Sequence, residues 1–191
     1  MILVGTIKSG KSSTGNAILG SGLFETRMTG SGLTREVSKQ QSEKNNKRII
    51  VVDTPGFFCI GNEDNKDTTL QHINKGISMT FPGPHAFIIV FSMLGISNTD
   101  LTMLNYILQT KKIDDYIIVV FTGRDLIERD KIDFGTFRAE LPIPIQKFLF
   151  KVGTKKIFAF DNTKSDKEVV KLIAAVEEMT VGSPHCFDNK V

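Results

Sequence analysis

The sequence contains no tryptophan, two tyrosines and only two cysteines, Cys59 and Cys186, among its 191 residues. Two cysteines cannot build a disulfide framework, so this composition favours a reducing compartment. The longest uninterrupted apolar run covers residues 86–91, far short of the roughly 20 residues that a membrane-spanning helix needs. The net charge is only +3 and the basic residues are scattered, which argues against nucleic acid as a partner.

The amino terminus carries no targeting pattern, because Met1 leads directly into the apolar residues 2–4. From this start we expect neither a signal peptide nor, with Ile2 after Met1, N-myristoylation. The composition, 40% hydrophobic and 24% charged, is close to the globular average and excludes disorder, collagen and coiled coil as the main structure. We therefore expect a cytoplasmic protein with one domain at residues 1–180 and a short, loosely ordered tail at residues 181–191.

Short apolar segments rich in β-branched residues predict five buried strands, at residues 2–4, 49–52, 86–91, 117–121 and 157–160. Their apolarity is continuous rather than alternating, which is typical of parallel strands that are covered on both faces. Residues 37–42 are more polar and predict an edge strand, which turns back into the next strand through residues 43–47.

Helical patterns lie between the predicted strands. Apolar residues share one helix face at residues 101–108 and again at residues 169–179, and Asn98 or Thr99 could cap the first of these helices. Prolines at 142 and 144 should end or kink a helix that begins near Phe134. Alternating strands and helices predict a three-layer α/β fold with a mostly parallel central sheet and one antiparallel edge strand.

A glycine-rich segment after the first predicted strand fits the phosphate-loop pattern G-x-x-x-x-G-K-[ST], and a helical pattern follows it. Glycines allow successive backbone N–H groups to point at phosphate oxygens, and the helix N-terminus adds positive potential. Lys11 is expected to act in catalysis by neutralising the β- and γ-phosphates, and the Ser12 hydroxyl is expected to bind Mg²⁺. The predicted phosphate-binding residues are Gly5, Lys8, Ser9, Gly10, Lys11, Ser12 and Ser13.

The second buried strand ends in a carboxylate, Asp53, which a turn ending in Gly56 follows. A carboxylate at a strand end beside the phosphate loop is expected to hold Mg²⁺, directly or through water. The Gly56 N–H can then bind a γ-phosphate, so the segment after it is expected to be a nucleotide-dependent switch. An earlier switch should offer a hydroxyl to the metal, and Thr26, Thr29 and Thr34 are candidates. We select Thr34 as metal ligand and catalytic residue, because it directly precedes the predicted edge strand.

The strand at residues 117–121 is followed by Thr122-Gly-Arg-Asp125, a variant of the guanine signature N-K-x-D. A carboxylate at Asp125 can accept hydrogen bonds from N1–H and the N2 amino group of guanine, whereas adenine offers no matching donor pair. Thr122 and Asp125 are therefore assigned to the nucleotide. Asn162, after the last predicted strand, either contacts the base or simply forms a turn.

At this point the sequence resembles the immunity-associated GTPases (the GIMAP family), which are relatives of the septin- and dynamin-like GTPases. The resemblance rests on K-S-S-T-G-N-A-I-L-G at residues 11–20, D-T-P-G-F-F at 53–58 and P-G-P-H-A at 82–86, and it covers about residues 1–180. It implies a Ras-like G domain that binds GTP and GDP with Mg²⁺. It also implies a homodimer or larger self-assembly across the nucleotide face.

The sequence departs from that family at two positions that bear on chemistry. The family often carries an arginine finger in an L-G-R segment, but Ile96 occupies this position. The guanine motif usually has a basic residue after its threonine, where Gly123 stands, and Arg124 could cover the base instead. His85, in the P-G-P-H-A segment, is equally compatible with a structural role.

The segment after Gly56 offers no side chain that could orient an attacking water, because Phe57 and Phe58 stand there. We therefore expect slow intrinsic hydrolysis of GTP, promoted by self-association or by a partner. The alternative is a nucleotide-dependent assembly scaffold with negligible hydrolysis. An ATP-dependent kinase with a similar phosphate loop is a more distant third possibility.

Overall fold

A computed structural model describes residues 1–26, 34–44, 46–57, 65–110, 112–161, 166–181 and 186–187 of the chain. Within these residues, six strands form one sheet. They are β1 (Ile2–Val4), β2 (Ser38–Lys44), β3 (Lys47–Asp53), β4 (Phe87–Ser92), β5 (Ile117–Thr122) and β6 (Ile157–Phe160). The strand order β2-β3-β1-β4-β5-β6, with β2 antiparallel to β3 and all other pairs parallel, confirms the predicted sheet.

Strand β1 is the point where the order of the chain along the sheet reverses, because β3 flanks it on one side and β4 on the other. In open α/β sheets, ligands bind at such a point, outside the carboxyl ends of the strands. The loop that follows β1 therefore lies where a ligand site is expected.

Helices cover both faces of the sheet, as the alternating pattern predicts. They are α1 (Lys11–Leu19), α2 (Asn65–Ser78), α3 (Asn98–Thr110), α4 (Arg124–Arg129), α5 (Phe134–Ala139), α6 (Ile143–Val152) and α7 (Asp166–Thr180). Helix α5 ends before Pro142, and Pro144 lies in the first turn of α6. The two prolines thus separate two helices, because proline is tolerated in the first turn but not in a helix interior.

Two apolar clusters lie on opposite faces of the sheet. One joins β1, β4 and β5 to α2, α3 and α6, with Phe87, Phe91 and Phe121 fully buried at its centre. The other joins the opposite sides of the same strands to α1 and α7, through residues such as Ile18 and Leu172. These two clusters form the three-layer arrangement. They hold the central strands in place, and the loop after β1 follows the carboxyl end of one of these strands.

Helix α2 was not recognised in the sequence, and its buried face explains why. Besides Ile73 and Ile77, that face contains Thr69 and Gly76, so among residues 67–78 only two of the four buried positions have large apolar side chains. A Cβ at Gly76 would lie 3.4 Å from a Val52 methyl group. This is an ordinary packing distance, so the glycine is not required by a close approach, but its lack of a side chain weakens the periodic apolar signal.

Near the carboxyl terminus, Phe187 packs against the amino ends of β4 and β5 and is only 8% exposed. Its ring meets those of Phe87 and Tyr116 edge-to-face, at centroid distances of 5.2 and 5.7 Å. Its backbone N–H donates to the Pro84 carbonyl at 2.9 Å, and a Cβ at Gly83 would lie 2.0 Å from the Phe187 carbonyl oxygen. Within the predicted tail, Phe187 is thus held against the 82–86 segment, while residues 182–185 and 188–191 lie outside the described residues.

We predict that Phe187→Ala lowers the free energy of unfolding by about 3 kcal/mol, because it removes a buried aromatic ring. Phe150 is 91% exposed, so Phe150→Ala provides a matched control with an expected change within about 0.5 kcal/mol. Urea denaturation of both variants measures the difference. Equal effects would show that Phe187 does not pack on the domain in solution.

Candidate functional site

The loop between β1 and α1 is built around a tight turn. The Thr6 carbonyl accepts a hydrogen bond from the Ser9 N–H at 3.3 Å and one from the Lys11 Nζ at 2.8 Å. Lys8 and Gly10 adopt left-handed conformations, with φ of +63° and +92°. Gly10 precedes α1, and Ser12 and Ser13 lie in the first turn of that helix. All seven predicted phosphate-binding residues thus belong to one loop and one helix start.

Close contacts from β5 hold this loop in place. The Thr122 hydroxyl donates to the Ser9 carbonyl at 2.8 Å, and a Cβ at Gly10 would lie 2.9 Å from the Thr122 methyl group. Thr122 therefore contacts the phosphate loop itself, and only glycine at position 10 allows that approach.

The segment after β3 lies against the other side of the loop. The Phe57 N–H donates to the Gly5 carbonyl at 3.0 Å, and a Cβ at Gly56 would lie 2.8 Å from backbone atoms of Ile7. The Thr54 hydroxyl donates to the Leu3 carbonyl at 2.7 Å. Backbone contacts of this kind leave no room for a side chain at position 56.

Three side chains assigned to the metal converge at the carboxyl ends of β1 and β3. The Ser12 hydroxyl donates to Asp53 Oδ2 at 2.5 Å. The Thr34 hydroxyl lies 3.4 Å from the same carboxylate oxygen and 3.2 Å from the Ser12 hydroxyl oxygen. Of the other two candidates, Thr26 is exposed, and Thr29 lies outside the described residues. The hydroxyl chosen from the sequence is the one found beside the carboxylate.

Asp53 is 1% exposed, and its second oxygen, Oδ1, is buried without a hydrogen-bond partner among the described residues. Burial raises the pKa of the Asp53 carboxyl above its usual value, while the hydrogen bond from Ser12 and the charge of Lys11 act in the opposite direction. A buried carboxylate with one unsatisfied oxygen, next to two hydroxyls, is a donor set of the kind that Mg²⁺ takes. The residues present therefore fit a magnesium ion.

A second buried carboxylate, Asp100, supports the phosphate loop from α3 and was not identified in the sequence. Its Oδ1 accepts from the Thr6 hydroxyl at 2.7 Å, and its Oδ2 accepts from the N–H and the hydroxyl of Ser97 at 2.8 and 2.6 Å. The Asp100 N–H donates in turn to the Ser97 hydroxyl. This reciprocal cap is a signal readable as S-x-x-D, and it shows that Ser97, rather than Asn98 or Thr99, caps α3.

The residues assigned to the base follow β5 directly. Gly123 has φ of +87° and precedes α4, and Asp125 is exposed in the first turn of that helix. The side chain of Arg124 forms ion pairs with two carboxylates. Its guanidinium lies 2.6 Å from a Glu128 carboxylate oxygen and 3.6 Å from one of Glu168. Asn162 lies outside the described residues.

Positions 57 and 96, where a water-orienting side chain and an arginine finger would be expected, are both apolar. Phe57 is 1% exposed, and its ring packs edge-to-face on Tyr106 at 5.7 Å. Ile96 is half-buried against the core, while Phe58 lies outside the described residues. Arg129 pairs with Asp130, and Arg35 is exposed. The Phe57 ring thus faces the core and presents no polar group to the phosphate loop.

The P-G-P-H-A segment lies at the opposite end of the sheet from the phosphate loop, since it leads into the amino end of β4. Its His85 is exposed, and it lines a cavity of about 610 Å³ that also includes Met1, Arg48 and Ile173. No residue of the phosphate loop lines this cavity. His85 is thus separated from the site at the carboxyl edge.

The T-G-N segment of α1 fixes the chain that leaves this helix. The Asn16 side chain donates to the Phe24 carbonyl at 2.8 Å and accepts from the Phe24 N–H at 2.7 Å. A Cβ at Gly15 would lie 2.7 Å from the Phe24 ring. Gly20, with φ of +74°, ends the helix. These contacts explain the residue types at Gly15 and Asn16 structurally, without a ligand.

Comparison with known proteins agrees with this architecture. Over 187 residues the chain is 33% identical to immune-associated nucleotide-binding protein 9 of Arabidopsis thaliana, covering 94% of this chain and 54% of that protein. The structure of Toc33 from Arabidopsis thaliana in complex with Mg²⁺ and GMPPNP gives a TM-score of 0.60 at 17% identity, over 93% and 82% of the two chains. A second similar structure comes from work on the chloroplast translocon components atToc33 and psToc159, for whose GTPase activity dimerization is important. It gives a TM-score of 0.71 at 16% identity, and the match covers 95% of this chain and 82% of that chain.

The sheet order, the loop after β1 and these likenesses define the fold as a G domain of the P-loop GTPases. The AIG1 family matches residues 1–190, and the chain belongs to this family. The match confirms the resemblance read from the motifs. The chain spans about half the length of the curated relatives it matches first. Among the described helices, none has the length and apolarity that crossing a membrane requires.

We predict that Thr6→Val lowers the free energy of unfolding by about 1–3 kcal/mol, because it leaves an oxygen of the buried Asp100 carboxylate without its donor. Thr102→Val removes a hydroxyl that bonds only to the Asn98 carbonyl on an exposed helix face, so it serves as the control. Chemical denaturation in the absence of nucleotide compares the two. A Thr6→Val protein as stable as the control would contradict the role given to Asp100.

Proposed function

We propose that this chain is a guanine-nucleotide-binding protein that binds GTP and GDP with Mg²⁺ and hydrolyses GTP slowly, with regulation by self-association across the nucleotide face. The observation that carries the proposal is the convergence of Ser12, Thr34 and Asp53 beside the phosphate loop. Two segments distant in sequence place hydroxyl oxygens beside the buried carboxylate of a third, which is a donor set suited to Mg²⁺.

The loop residues have separate tasks in this proposal. Backbone N–H groups of residues 8–13 and the α1 N-terminus would bind the phosphates, and Lys11 would exchange its bond with the Thr6 carbonyl for the β- and γ-phosphates. Ser12, Thr34 and Asp53 would hold Mg²⁺, which when bound neutralises charge on those phosphates. Gly56 would donate its N–H to the γ-phosphate, which would couple the segment after β3 to the nucleotide state.

Guanine selection is proposed to depend on Asp125. The side chain is exposed in the first turn of α4, two residues after the positive-φ Gly123, so it is available to a ligand. Thr122 contributes by fixing the phosphate loop rather than by touching the base. Asn162 is proposed as a further contact to the base.

We predict that Asp125→Ala reduces affinity for GDP by about 100-fold or more and removes the preference for GDP over ADP, because guanine loses a charged acceptor for two N–H donors. Asp130→Ala, which removes an exposed carboxylate just after α4, should leave both affinities unchanged. Titration with fluorescent nucleotides measures them. A preference for adenine nucleotides in the unmodified chain would point to a different class of enzyme.

The second candidate function is a nucleotide-dependent assembly scaffold with negligible hydrolysis. Burial of the Phe57 ring favours it, because the position that could orient water offers no polar group. Both candidate functions require nucleotide binding, and they differ in whether the chain hydrolyses GTP to a significant extent. Support for self-association comes from the structural neighbours atToc33 and psToc159, since dimerization is important for the GTPase activity of those two proteins.

We predict that the rate of GTP hydrolysis per molecule rises with protein concentration when Mg²⁺ is present, because a second copy completes the site. Phosphate release should be followed from nanomolar to high micromolar protein, with molecular mass measured in parallel. A rate that stays near background at every concentration, while GTP remains tightly bound, would favour the scaffold.

A further inference from the structure

Lys8 has a backbone conformation that its residue type does not favour. Ile7 and Lys8 are the central residues of the turn closed by the Ser9 N–H and the Thr6 carbonyl, and Lys8 has φ of +63°. Turns with positive φ at the second central position usually contain glycine or asparagine there. A non-glycine residue held in this region is strained, and such strain concentrates at functional sites.

The side chain of Lys8 is not used to stabilise the loop. It is exposed, and it makes no hydrogen bond or ion pair with the residues that the structure describes. Its neighbours differ in this respect, since Thr6 is bonded to Asp100 and the Ser9 carbonyl accepts from Thr122. The strained position therefore presents a cation at the rim of the phosphate site.

The site has a need for such a charge. Negative charge on the γ-phosphate must be stabilised during phosphoryl transfer, and an arginine commonly does this. Ile96 packs on the core, and Arg124 and Arg129 are paired with carboxylates. Lys8 is a cation that belongs to the phosphate loop and lacks a carboxylate partner among the described residues.

We propose that the Lys8 ammonium is a catalytic residue that contacts the γ-phosphate from within the loop. The inference rests on the proposed function. Water attacks the γ-phosphorus, the bond between this phosphorus and the β–γ bridging oxygen breaks, and GDP leaves. The proton lost by the water ends on inorganic phosphate, while Lys8 stays protonated and forms no covalent bond.

Lys8→Gly tests the proposal without straining the fold, because glycine adopts positive φ freely. Lys131 is a matched control, since it is an exposed lysine with φ of +57° in the turn after α4. Neither Lys8→Gly nor Lys131→Gly should lower the melting temperature. A change that follows from backbone relaxation alone should appear in both variants.

Affinity for a non-hydrolysable GTP analogue should fall about 10–100-fold in Lys8→Gly, the range expected for one charge-assisted hydrogen bond, while affinity for GDP changes less than about twofold. Single-turnover hydrolysis of GTP should fall at least about tenfold, and Lys8→Arg should restore most of both properties. Lys131→Gly should match the unmodified chain in every assay.

Unchanged affinities for both the analogue and GDP in Lys8→Gly would overturn the role of Lys8 and leave nucleotide binding established. Equal losses for GDP and the analogue would also overturn it, because they would assign Lys8 to the α- and β-phosphates. If the unmodified chain bound neither nucleotide, the proposed function itself would fail.

Discussion

The hydrogen bond between Ser12 and Asp53 joins the two halves of the site, and the local arrangement depends on it. Ser12 belongs to the first turn of α1 and Asp53 to the last position of β3, so one 2.5 Å hydrogen bond connects the start of the helix to the carboxyl end of the strand. Thr34 reaches the same carboxylate from the segment before β2. Because the carboxylate is buried and one of its oxygens is unsatisfied among the described residues, the arrangement favours an additional positive group at that point.

The phosphate loop is rigid for reasons that lie outside its own motif. Thr122 fixes it from β5, Asp100 fixes it from α3, and the backbone around Gly56 lies against Ile7. These contacts come from three different parts of the fold, namely β5, α3 and the segment after β3. The loop can therefore hold an uncommon backbone conformation at Lys8, because the strain is opposed by contacts on three sides.

Much of this structure was predictable from the sequence because its signals are local. The buried strands predicted at 2–4 and 157–160 match their observed bounds, since short, continuous apolar runs bounded by polar or glycine residues are typical of buried strands. Helix α2 was missed because Thr69 and Gly76 interrupt its apolar face. Asp100 was missed because its role depends on a contact 94 residues away, which no local pattern reports. The packing of Phe187 likewise depends on Gly83 and Pro84, distant in sequence.

The weak contact between Thr34 and Asp53, at 3.4 Å, has a thermodynamic consequence. Any molecule that binds more tightly when this contact is made shifts the chain toward that arrangement by its differential affinity. Linkage is reciprocal, so a ligand in the phosphate loop and a protein on the surface around Thr34 would strengthen each other's binding by the same factor. For ligands that bind only this arrangement, the factor is the inverse of the fraction of free chain in which the Thr34 hydroxyl lies at the carboxylate.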